Sequence, residues 1–202
     1  MLASINPLGE RSRNRTWWVT VSWYVAGSIA GGVLMGTALG ALGELVDLAL
    51  SPTAVAVGIV AAVLGVVALL FELHVGGIML PTVRRQVDED WLARYRAWVY
   101  AGGFGFQLGL GVVTVVPTAT VYLTWAFAFL TGSWLGGLVI GATFGLARAL
   151  PIFLVSRVRT PVQLRDAMRR FAGWAPTARR ASTAVSAIVP VFAVVLVAWS
   201  TS

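Results

Sequence analysis

The sequence contains no cysteine and no lysine. Without cysteine the chain can form no disulfide, offer no thiolate to a metal and relay no electrons through thiols. A single histidine, His74, is present, and no acidic cluster lies inside an apolar run. Neither a zinc site nor any other metal or cofactor is therefore expected. Charge of either sign is scarce, at 11% of 202 residues. Soluble domains average about a quarter, so a water-facing surface over the whole chain is excluded. All fifteen basic residues are arginine, and they set the net charge of +7. In so apolar a chain they mark topology and contact with anionic headgroups rather than nucleic acid.

Hydrophobic residues, by contrast, make up 58% of the chain. The composition predicts an all-α polytopic membrane bundle, one integral membrane domain over residues 1–202. Residues 1–15 read as a short mobile arm. Arg11, Arg13 and Arg15 precede an apolar run reaching about Leu42, too long for a cleavable signal and expected to stay as the first span. Trp17, Trp18, Trp23 and Tyr24 form its aromatic belt. Ser28, Gly32, Gly36 and Gly40 recur every four residues and predict a face that another backbone can approach. Glu44 and Asp47 follow in an expected outer loop. A second span covers about Thr53–Leu73.

Two charged connectors read as interfacial helices on the cytoplasmic face. In Thr82–Trp98, Val87, Trp91, Tyr95 and Trp98 share one face, with Asp88, Glu89 and Asp90 in the first turn. In 156–181, Leu164, Met168, Phe171 and Trp174 do the same, opened by Thr160-Pro161 with Gln163 reaching back. Leu135–Val155 is a further span, with Gly137, Gly141 and Gly145 on a strip of their own. A last span runs over 182–200 and contains Pro190.

Between them, 99–130 is too long for one upright crossing. Its thirty-odd residues would reach about 48 Å against a hydrocarbon core of about 30 Å. Glycines crowd its first half, and Pro117 is the expected break. Placing the Arg-rich segments 11–15, 84–96 and 157–180 on one side predicts five crossings with the N-terminus inside. Six, with 99–116 and 118–131 as separate short spans, is the alternative. A low-identity internal repeat, 16–98 and 99–181, leaves the last span unmatched. All-arginine usage with abundant Ala, Gly and Val indicates a GC-rich bacterial genome, hence a bacterial cytoplasmic (inner) membrane.

Few residues could carry chemistry. Glu72 and Arg148 are the charges set deepest in apolar surroundings. A charge in a membrane is costly and faces the bundle interior with a partner. Pairing with each other is one reading. Snorkelling of Arg148 past Pro151 is a second, and a direct substrate contact a third. His74 reads as an interface-anchored ring or a proton relay. Gln107, Thr114, Thr118, Thr120, Tyr122 and Thr124 give the broken segment its polarity. They either re-satisfy carbonyls freed at Pro117 or line a small polar pocket at mid-depth, as discontinuous helices do in transporters.

The order of a glycine-rich approach, small residues, then Thr114-Val115-Val116-Pro117 and a polar-apolar run resembles the membrane domain of the CcdA/DsbD-type thiol–disulfide carriers and the wider LysE-like transporter grouping. That resemblance covers about 99–155. It implies a duplicated bundle whose leading helices break at a Cys-x-x-Pro element, with Thr114 standing where the redox cysteine would be. Missing cysteines remove electron transfer, and five crossings depart from the six spans the family implies. Two functions follow. One is a small permease or exporter with Gln107, Thr114, Pro117, Thr118, Thr120, Glu72 and Arg148 near its path. The other is a non-catalytic subunit or scaffold that binds a partner membrane protein or further copies of itself. No nucleophile–base pair is visible, so catalysis is not expected.

Overall fold

The computed structural model describes residues 5–12, 14, 16–74, 96–111 and 118–200. Their order is α1 (Pro7–Ser12), α2 (Trp17–Leu50), α3 (Ala54–Glu72), α4 (Ala97–Leu110), α5 (Thr120–Leu130), α6 (Trp134–Ala149), a 3-10 stretch (Leu150–Val155) and α7 (Pro161–Ser200). Among these residues four helical stretches are long and apolar enough to cross a membrane: Trp17–Leu50, Ala54–Glu72, Trp134–Val155 and Pro161–Trp199. The protein is a multi-pass helical membrane protein. Segment 99–130 supplies no fifth helix of that length. It consists of α4, with 14 residues, and α5, with 11. At 1.5 Å per residue these reach only roughly 21 and 17 Å. Gly111 ends α4 in the left-handed region, at φ 74°, with its N–H bonded to the Leu108 carbonyl. The rod is thus interrupted before Pro117, which with Thr114 lies outside the described residues.

The described residues fall into two compact units. The first comprises 1–34, 83–115 and 141–175. Its core joins Trp17, Val21, Tyr24, Tyr100, Phe104, Ile152 and Val155. Glycines let three helices meet there backbone to backbone. A methyl group added at Gly105 or Gly109 of α4 would strike the carbonyl oxygen of Tyr24 or Ser28 on α2, and one at Gly145 of α6 would also strike that of Ser28. The buried Ser28 hydroxyl donates to the Gly145 carbonyl at 2.7 Å. Such close approach substitutes dispersion and polar contacts for a hydrophobic drive that lipid cannot supply.

The N-terminal arm departs from expectation. Asn6 Oδ1 accepts from the Gly9 N–H at 2.9 Å, and Pro7 begins α1. Glu10 is fully buried. Its Oε2 accepts from Thr20 Oγ1 and its Oε1 from the Tyr100 hydroxyl, both at 2.6 Å. These short charge-assisted bonds are among the stronger kind, and Ile5 and Asn6 are buried with them. Tyr100→Phe removes one donor, at a cost of about 1.5–3 kcal/mol. Faster amide hydrogen exchange over 7–12 than in the parent is the expected result.

A second difference concerns 156–181. Instead of a separate interfacial helix, α7 runs from Pro161 to Ser200 without a break, through Pro176 and Pro190. The helix runs on through the change from charged to apolar composition near Ala181, where Ser182 and Thr183 do not cap: their hydroxyls donate to Glu72 and to the Arg179 carbonyl. Leu164, Met168 and Phe171, expected to face lipid, pack against the core of the first unit. The other connector, Thr82–Trp98, lies outside the described residues up to Tyr95.

The second unit comprises 35–82, 116–140 and 176–202. Helix α3 packs on α5, where Ala68, Ala119 and Leu123 are buried with Leu64, Phe71 and Phe127 against them. Thr53 caps α3 by accepting from Ala56 N–H at 3.2 Å. Helix α2 continues past its expected end to Leu50, carrying Glu44 and Asp47 on the helix rather than in a loop. Glu44 Oε2 accepts the Trp134 N–H at 3.2 Å, at the start of α6. The Asp47 carboxylate occupies the space a side chain at Gly132 would need, and Gly132 has φ 54°. Only glycine suits that turn.

Candidate functional site

Glu72 is the last residue of α3, where the helix dipole is unfavourable to an anion. It is nonetheless buried, 6% exposed. Two donors make this tolerable. Oε1 accepts the backbone N–H of Ala119, the residue capping α5, at 2.6 Å. The same oxygen accepts the hydroxyl of Ser182 on α7 at 2.7 Å. The positive end of the α5 dipole thus faces the carboxylate and offsets that of α3. Oε2 accepts no hydrogen bond among the described residues.

Hydroxyls surround this carboxylate. Ser182 Oγ lies 3.3 Å from Thr120 Oγ1, which lies 2.8 Å from Thr118 Oγ1. Thr124 donates to the Thr120 carbonyl at 2.8 Å, the i−4 bond common for a threonine inside a helix. His74 stands in the left-handed region at φ 53°, with Nδ1 3.0 Å from the Glu72 carbonyl. It follows Leu73, the C-cap of α3. Ser186, one turn beyond Ser182 on the same face of α7, is fully buried, and its hydroxyl has no partner among the described residues.

Three of the residues singled out from sequence, Glu72, Thr118 and Thr120, therefore meet at the start of α5. Thr114 and Pro117 lie outside the described residues. Gln107 sits on α4, and Arg148 on α6 with its guanidinium 5.4 Å from the Phe144 ring centre; both belong to the first unit. Ser182 was missed. Its signal was the pair Ser182 and Ser186, four apart and so on one face of the last span. Glu10 was missed too, although Asn6-Pro7 is a helix-start pair. Chemically, the carboxylate oxygen without a hydrogen bond is an acceptor for an N–H or O–H donor or a cation. No group of three or more His, Asp or Glu that could bind a metal occurs among the described residues.

The chain belongs to the family described as the cytochrome c biogenesis protein transmembrane region, which it matches over residues 2–198. The resemblance first seen over 99–155 thus extends along almost the whole chain. Among curated proteins it is similar to the methylamine utilization protein MauF of Paracoccus versutus, 32% identical over 152 residues, covering 75% of this chain and 55% of the relative. The MauF proteins of Paracoccus denitrificans (31% identical; 75% and 54% covered) and Methylophilus methylotrophus (28%; 75% and 53%) are similar as well. The chain spans about half the length of the curated relatives it matches. No solved structure matches it.

Proposed function

We propose that this protein is a non-catalytic carrier of a small cationic solute, in the manner of the LysE-like exporters, serving methylamine utilization in a bacterial cytoplasmic membrane with its N-terminus inside. The observation that carries the reading is the Glu72 carboxylate: buried, anchored through one oxygen and without a hydrogen bond at the other among the described residues. A carboxylate placed in apolar surroundings is costly and is kept where it binds something. An alkylammonium group suits it, being a cation with N–H donors for Oε2 and for the hydroxyls of Thr120 and Ser182. The chain has no thiol, so the electron-carrying chemistry of its cysteine-bearing kin is not available to it.

Purified protein in liposomes tests this with radiolabelled methylammonium. Uptake above that of empty vesicles, abolished by Glu72→Gln, is the expected result. Flux equal to empty vesicles would remove the carrier.

A partner-binding membrane subunit is the second reading. In its favour is an apolar trough of about 860 Å³ in the second unit, walled by α3, α5 and α7 and lined by Ala54, Gly58, Ala61, Phe127, Ile188 and Phe192. Purification in mild detergent separates the two. A stoichiometric companion supports the subunit, and a lone protein with flux supports the carrier.

A further inference from the structure

A groove of about 370 Å³ lies in the first unit, where the apolar stretch Trp134–Val155 gives way to the arginine-rich start of α7. Leu154, Val158, Phe171 and Trp174 form its apolar wall, and Arg157 and Arg170 supply its charge. Neither arginine forms an ion pair among the described residues, although Asp166 lines the same groove. Gln163 is tied through its carbonyl oxygen, which accepts the Arg159 N–H at 2.8 Å. Its amide nitrogen is left to donate into the groove. Trp174 is 55% exposed and edge-on to Phe171 at 5.8 Å, an amphipathic ring of the kind found at headgroup level.

We infer that this groove binds the headgroup of an anionic phospholipid with a hydroxylated headgroup, phosphatidylglycerol being the simplest. Two guanidinium forks match the oxygens of a phosphodiester. The Asp166 carboxylate would repel a bare phosphate but accepts hydroxyl donors, as a glycerol headgroup provides. The Gln163 amide, which also lines the groove, is a further donor for either of the two non-bridging oxygens. The apolar wall continues directly from a membrane-crossing stretch, where the lipid's acyl chains already lie. Free phosphate gains nothing from that wall, so the site is committed to lipid. This is more local than the general attraction of arginines to an anionic surface, which needs no groove.

Native mass spectrometry of the full chain in detergent, titrated with phosphatidylglycerol or phosphatidylcholine, tests the inference. One phosphatidylglycerol retained in preference to phosphatidylcholine is expected, with affinity at least about tenfold weaker in R157Q/R170Q. R179Q/R180Q, with the same charge change elsewhere on α7, is expected to retain the lipid. Equal weakening in both double variants would reduce the site to surface charge and overturn it. Unchanged affinity in R157Q/R170Q, or displacement of the lipid by millimolar inorganic phosphate, would overturn it as well. Should R157Q/R170Q fail to fold, Arg170→Lys keeps the charge but loses the planar fork. A several-fold weakening supports the groove, and unchanged affinity rejects it.

Discussion

Glu72→Ala is expected to deplete folded protein severely, and Glu72→Gln to spare it. Alanine removes the acceptor of two buried donors, the Ala119 N–H and the Ser182 hydroxyl. Each donor left unsatisfied costs about 1–3 kcal/mol, so the pair costs roughly 2–6 kcal/mol. Marginal stabilities of about 5–15 kcal/mol leave little after that. Glutamine keeps a carbonyl oxygen for both donors and gives up only the charge. Folded yield and thermal midpoint in detergent read the structural effect, and methylammonium flux reads the functional one. The carrier requires Glu72→Gln to fold and yet not transport. If it folds and transports normally, the carboxylate is an anchor for α5 and nothing more. Ser182→Ala should cost about 1 kcal/mol, because Ala119 still holds the carboxylate.

Glycines in α4 divide into two kinds, and substitution should separate them. Gly109→Ala places a methyl group against the Ser28 carbonyl oxygen, with the Gly32 nitrogen at 2.8 Å. Both obstacles are backbone, so no side-chain end can swing aside. Overpacking of this kind costs about 1–3 kcal/mol, and Gly109→Val more. Gly103, six residues earlier in the same helix, meets nothing within 4 Å. Alanine there should be neutral, or stabilise by about 0.5–1 kcal/mol through helix propensity. Thermal melting of the two variants in one detergent checks the contrast. Equal behaviour would mean that α2 and α4 do not meet as described.

How much of this was legible in advance varies residue by residue. The long apolar runs and arginine-rich gaps gave the helical membrane class, because lipid admits only helices and closed barrels and runs of this length fit helices. The interruption of 99–130 was visible from its excess length and its proline. Its position was less so: α4 stops at Leu110, since Gly111 takes up a positive φ that the glycines before it do not. The continuity of α7 was hidden because a shift in composition beside Pro176 and Ser182-Thr183 resembles a boundary, whereas those two hydroxyls are used by Glu72 and the Arg179 carbonyl instead of by a cap. Glu10 was hidden by distance in sequence. Nothing near position 10 announces that Thr20 and Tyr100 will donate to it. Glu72 stood out as a charge in an apolar run, but its partners Ala119 and Ser182 lie 47 and 110 residues away.

Membrane residence, helical class and the lack of a thiol were determined by the amino acids alone, because each depends on composition and on solvent rather than on neighbours. Which glycines touch backbone, which carboxylate oxygen is occupied and which arginines line a groove were decided only by tertiary structure. Those properties belong to pairs of residues far apart along the chain, and packing within each unit brings the pairs within bonding distance.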